Sequence, residues 1–213
     1  MSTTTEAAAD PVQEPAAVEA GAPPGPPPPA PGRPGQLVAA AYVVSAAGAM
    51  LLTGLLAAYF RFRRETPDAD WPPDGVDIPN VALLTLTLGL LMSAATAAWM
   101  VQAARRGDRT NLLVAAGITI LLGLAHANGM SFVFSAMELG AGDSAYATIF
   151  YAVTGTHMAL LGAGIVGLLA VTFHAVGGRF TSGDEEPVVA TLILWEFVVV
   201  AWAAVYACVF LVQ

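Results

Sequence analysis

The 213-residue sequence contains no lysine and only one cysteine, Cys208. One cysteine excludes an internal disulfide and every paired-cysteine metal or redox motif, and it leaves Cys208 to be read as a small apolar packing residue. Charge is scarce: 11% of residues are ionisable by the Asp, Glu, Lys, Arg count, against about 25% in an ordinary soluble domain. All eight basic residues are arginines, and sixteen acidic residues set a formal charge of −8. Without a basic surface, nucleic-acid binding is not expected. A Walker loop and a dinucleotide fingerprint are also lacking.

What the sequence has instead is long apolar runs. The most telling covers residues 145–176, AYATIFYAVTGTHMALLGAGIVGLLAVTFHAV, with no Lys, Arg, Asp or Glu. A straight membrane span needs roughly 20 residues, so a run this long must tilt or project beyond the lipid. It carries His157 near its middle, where an ionisable group is costly and must face protein or water.

Four other runs of spanning length lie at about residues 36–59, 81–104, 111–137 and 188–212. The predicted fold class is all-α, an integral membrane bundle of five transmembrane helices. Short links should make successive helices antiparallel neighbours, residues 61–80 being the exception. Residues 1–35 read differently. Their Ala, Pro, Gly and acidic composition, with the run Pro23-Pro24-Gly25-Pro26-Pro27-Pro28-Pro29, cannot build a core and predicts a disordered tail ahead of a domain at 36–213. Five arginines against three favour a cytoplasmic N-terminus and an external C-terminus.

Small residues recur four apart at Gly89, Ser93 and Ala97, at Gly155 and Ala159, and at Ala163 and Gly167. Such spacing permits close helix contact, and it also arises by chance in an Ala- and Gly-rich chain. The loop around Trp71 carries Asp68, Asp70, Asp74 and Asp77. Its spacing differs from that of a calcium loop, so a solvated acidic loop is preferred to a cation site.

The intramembrane polar candidates are His126, His157 and Glu196, with His174 nearer an interface. They could form a proton pathway, or they could be interhelical hydrogen-bonding groups; the second reading is preferred, because a relay needs more groups than these. Thr154 and Thr156 are expected to bond their own backbone. Counting 1.5 Å per residue offsets His157 from Glu196 by roughly 16 Å along the two helix axes, so no direct bond is expected and each should find a partner on another helix. No catalytic, cofactor-binding or metal-binding residue is assigned, since three histidines and one cysteine offer no plausible ligand set.

Several pieces resemble a known family in order and spacing. Trp71-Pro72-Pro73-Asp74-Gly75-Val76 is similar to a WPPxGI stretch, and Gly107-Asp108-Arg109 to a GDR turn. Ile118-Thr119-Ile120 is followed by Gly123. Tyr146 to His157, which includes Gly155, is similar to YGSxFFxxTGxH; Leu194 to Trp202, which includes Trp195, is similar to WHFVDxxW. Together they resemble subunit III of the haem–copper (cytochrome c) oxidases over residues 45–213, in the shorter five-helix bacterial form. Departures occur at polar positions. Gly48 stands where the family has a membrane glutamate, Leu160 where it has a second histidine, and Val133 near a family glutamate. Glu196 and Val199 stand where it has His and Asp.

The resemblance implies an accessory, non-catalytic subunit of a terminal oxidase in the bacterial plasma membrane, acting in aerobic electron transport and supporting proton uptake. Haem and copper would reside in partner subunits, and membrane lipids would be further partners. A subunit-III-like protein of a nitric oxide reductase is the nearer alternative. A small transporter or channel is the more distant one, which the lack of a charged stripe or broken-helix repeat disfavours.

Overall fold

Apolar composition sets five helices in the computed structural model, which describes residues 35–66, 71–178 and 185–211. They are α1 (Gln36–Glu65), α2 (Asn80–Arg105), α3 (Arg109–Ala136), α4 (Ala145–Val176) and α5 (Glu186–Tyr206), the last continued by a π-helical turn, Ala207–Leu211. Each is long and apolar enough to cross a membrane, and the chain is a multi-pass membrane protein. Among the described residues there is no strand. Residues 1–34 of the expected tail, Asp68, Asp70 and Arg179 lie outside the described residues.

Helix ends differ from the expected ones where charge ends a span without ending a helix. α1 continues past Tyr59 to Glu65. Arg61 Nε donates to Glu65 Oε1 at 2.8 Å, one turn on. The amide and hydroxyl of Thr66 then close on the Phe62 carbonyl at 3.1 and 2.8 Å. α5 starts at Glu186 rather than 188, because Pro187 suits the first helical turn, where its missing N–H costs nothing. Its α-helical ladder stops at Tyr206 and widens, instead of running on to 212. α3 and α4 begin at capping side chains. Asp108 accepts from the Asn111 amide and Ser144 from the Ala147 amide, each at 3.0 Å.

The short links give the expected neighbours: α2 beside α3, α3 beside α4, α4 beside α5. After the longer link, α1 packs on α4 and α5 rather than broadly on α2, and α5 lies between them. The last helix is therefore the central one. Half of its most apolar stretch is buried, against 17% of that of α1.

Polar contacts tie the end of the bundle where α1, α3 and α5 begin. Glu186 accepts from the Gly35 and Leu37 amides at 3.0 and 2.6 Å, so α5 caps α1. Arg109 Nη2 donates to the Val176 carbonyl at 2.5 Å, and Arg105 faces Glu185 at 3.6 Å. At the opposite end Trp71 packs edge-on against Tyr59 and Tyr146, with ring centroids 5.5 and 5.1 Å apart. The 71–73 stretch, half-buried and with a cis Trp71–Pro72 bond, thus joins α1 to α4.

Candidate functional site

The interior of a membrane bundle offers no water, so a buried donor must find an acceptor on a neighbouring helix. Two indoles of α5 do so. Trp195 Nε1 donates to Ser93 Oγ at 2.9 Å, and Trp202 Nε1 donates to Thr87 Oγ1 at 3.0 Å; both acceptors are on α2. The Ser93 and Thr87 hydroxyls in turn donate to the Leu90 and Leu83 carbonyls of their own helix. Trp195 fits because α3 and α4 are thin where it passes. A Cβ on Gly123 would lie 2.6 Å from its ring, and one on Gly164 3.0 Å.

Below the second indole sit both buried histidines. His126 is 1% exposed and His157 fully buried. Their rings are 5.9 Å apart, and the Trp202 ring lies 4.6 Å from the first and 4.9 Å from the second. His126 Nδ1 lies 3.3 Å from the Leu86 carbonyl of α2, and His157 Nε2 lies 3.1 Å from the Val198 carbonyl of α5. A carbonyl can only accept, so those two nitrogens carry the ring protons of neutral tautomers. His126 Nε2 and His157 Nδ1 are then lone pairs, buried and without a hydrogen-bond partner.

The structure thus brings His126 and His157 together and leaves Glu196 apart. His157 bonds a carbonyl only two residues from Glu196, so the counted axial offset of 16 Å is too large. The count assumed level helix ends; the helices are staggered instead. Facing separates the two groups: two residues along α5 is a turn of about 200°, which sends the Glu196 side chain to the other side. The expectation that Glu196 finds a partner on another helix fails within this chain. It is half-buried and makes no hydrogen bond or ion pair.

Other expected positions divide in the same way. Trp195 is fully buried, and Trp71 holds two helix ends together. Ser93 and Ala97 are buried as close-contact spacing requires. Gly155, Ala159 and Ala163 are exposed, and a Cβ on Gly155 would meet nothing within 4 Å, whereas Gly167 is half-buried and a Cβ there would lie 3.7 Å from the Thr191 side chain, so only that end of the stripe faces another helix. Thr154 and Thr156 bond the carbonyls of Phe150 and Ala152 at 2.7 Å each, as read from sequence. His174 is exposed and bonds its own helix at Ala170. Trp202 and Thr87 were missed. The available signal was an indole N–H inside an apolar span, which demands a hydroxyl or carbonyl elsewhere.

Chemically this arrangement is a set of neutral contacts across α2, α3, α4 and α5. Two imidazole lone pairs could offer nitrogen ligands, but no third group joins them. Among the described residues no set of three or more His, Cys, Asp or Glu side chains could hold a metal ion. Asp108, outside the spans, has its carboxyl held below the usual range by the Asn111 amide first and by the Asn111 side chain second.

Comparison with known proteins is consistent along most of the chain. Residues 37–213 match the family model described as cytochrome c oxidase subunit III. The chain is similar to a probable cytochrome c oxidase subunit 3 of Mycobacterium tuberculosis, with 28% identity over 167 residues, 77% of this chain and 82% of that protein. It is similar to cytochrome c oxidase subunit 3 of Branchiostoma floridae, with 30% identity over 142 residues, 66% of this chain and 54% of that protein. It is also similar to the subunit 3 of Synechocystis, with 28% identity over 163 residues, 76% of this chain and 69% of that protein.

Proposed function

The chain belongs to the cytochrome c oxidase subunit III family, and from that premise we propose how it works: as the accessory subunit of a haem–copper oxidase, it does no chemistry itself and steadies the subunits that do. The observation that carries this reading is the match over residues 37–213, which takes in all five helices. The interior is consistent with it. Its polar groups are spent on joining helices, Trp195 to Ser93, Trp202 to Thr87 and His157 to Val198.

On this reading His126 and His157 are interhelical contacts rather than steps of a proton route, since each ring bonds a backbone carbonyl of a neighbouring helix and packs against the Trp202 indole. Haem and copper belong to the partner subunits. The membrane is the bacterial plasma membrane, with the N-terminal side cytoplasmic, as the arginine balance favours.

Affinity purification of the tagged chain from its native membranes tests the proposal. The expected result is a complex with haem absorption and with copper, whose metal-bearing polypeptides are other chains. Recovery of the chain alone, or with partners that carry no haem, would overturn it.

A further inference from the structure

Among the described residues, Glu196 is the only acidic one well inside a span without a partner. It is the eleventh of the 26 residues of the Glu186–Leu211 span, about 15 Å along a helix that rises 1.5 Å per residue. A hydrocarbon layer about 30 Å thick therefore encloses it. Residues four and three or seven apart share a helix face, which places Glu196 on one stripe with Val189, Ile193, Val200 and Ala203. That stripe is the least buried of α5: Val200 is 64% exposed and the others are half-buried. On one flank Phe197 turns to α1, where a Cβ on Gly48 would lie 2.8 Å from its ring. On the other flank Trp195 turns to Ser93 of α2. Because α1 and α2 pack on α5 but not broadly on each other, the stripe lies open between them.

A carboxyl group facing hydrocarbon with nothing to bond is costly, and such groups face protein or a polar cavity. The described residues supply no partner at Glu196. Lipid headgroups lie at the interfaces, and Glu196 is too short to reach them from mid-membrane. We propose that the α5 stripe around Glu196, between α1 and α2, is the docking face for a transmembrane helix of another oxidase subunit, which presents a hydrogen-bond donor side chain to the Glu196 carboxyl. The proposal rests on the accessory-subunit reading above, and it adds the face, the depth and the chemistry of the contact.

The test places the photo-reactive residue p-benzoylphenylalanine at Val200, one turn from Glu196 and exposed enough to leave the fold intact. Irradiation in native membranes is followed by purification through a tag on this chain and mapping of the adducts. The expected adduct is on a transmembrane helix of another oxidase subunit, within one turn of a hydroxyl, amide, imidazole or cationic side chain. Adducts on lipid alone, in a preparation that still contains haem, would overturn the docking face while leaving the accessory-subunit reading in place. A preparation without haem would overturn both. Variants at Glu196 give a second measure. Glu196→Gln keeps hydrogen-bonding capacity and should retain the subunit, whereas Glu196→Leu should weaken its association about fivefold, the scale of one interhelical hydrogen bond in lipid. Equal retention of the Leu and Gln variants would contradict the bond.

Discussion

Where an indole crosses a glycine, one methyl group decides whether two helices fit. At Gly123 a Cβ would lie 2.6 Å from Trp195 Cη2, and the indole cannot swing away without losing its bond to Ser93. Gly123→Ala should therefore destabilise the subunit by about 1–3 kcal/mol, the usual cost of overpacking. Gly155→Ala, at an exposed position with open space around it, should cost the isolated subunit nothing. Reversible unfolding in mixed detergent micelles measures both; equal losses would show that the interior is looser than the structure says. His157→Leu removes one interhelical bond, that to the Val198 carbonyl. The same assay should show a loss of about 0.6 kcal/mol, and no more than about 1.7 kcal/mol, the measured range for such bonds in membranes. A much larger loss would mean that the lone pair at Nδ1 carries a further contact.

Helices as elements were largely legible in the sequence, because hydropathy reports a span whatever it packs against. Their ends were less legible. The Arg61–Arg64 run marks where α1 leaves the lipid, yet the Arg61–Glu65 pair and the Thr66 cap let the helix run on. Caps were readable where a side chain serves its own helix, as Asp108 and Ser144 do, and invisible where Glu186 of α5 caps α1 from 149 positions away. The Asp108 cap has a pH signature. Its folded pKa is depressed, by hydrogen bonds from Asn111. The stabilisation is therefore present above the unfolded aspartate value of about 3.9 and is lost as pH falls through the lower folded value. Amide exchange at Asn111 should accelerate below that window in the native chain. In Asp108→Asn it should show no such step, and a step that persisted would assign the titration to another group.

In the whole molecule, the order of contacts is what one sequence could not yield. That α5 sits in the centre follows from the break between α1 and α2, which the longer 66–79 link allows but does not dictate. The same holds for the polar groups. His157 could be placed in a span by counting, but its nearness to His126 and Trp202 depends on helix stagger and facing, and neither has a periodic signal. Glu196 could be counted to a depth, but not to an open stripe between two helices. The family motifs fared better as a set than singly, since Trp195 and Trp71 pack at helix contacts while Gly155 faces outward. The central claim is that this subunit supports a catalytic centre it does not contain. The most direct measurement is oxygen consumption per haem by the oxidase complex, recorded from the first turnovers onward, with this subunit present and after its removal. The account predicts equal initial rates, with the depleted complex losing activity sooner. Loss of the initial rate, with the haem content unchanged, would contradict it.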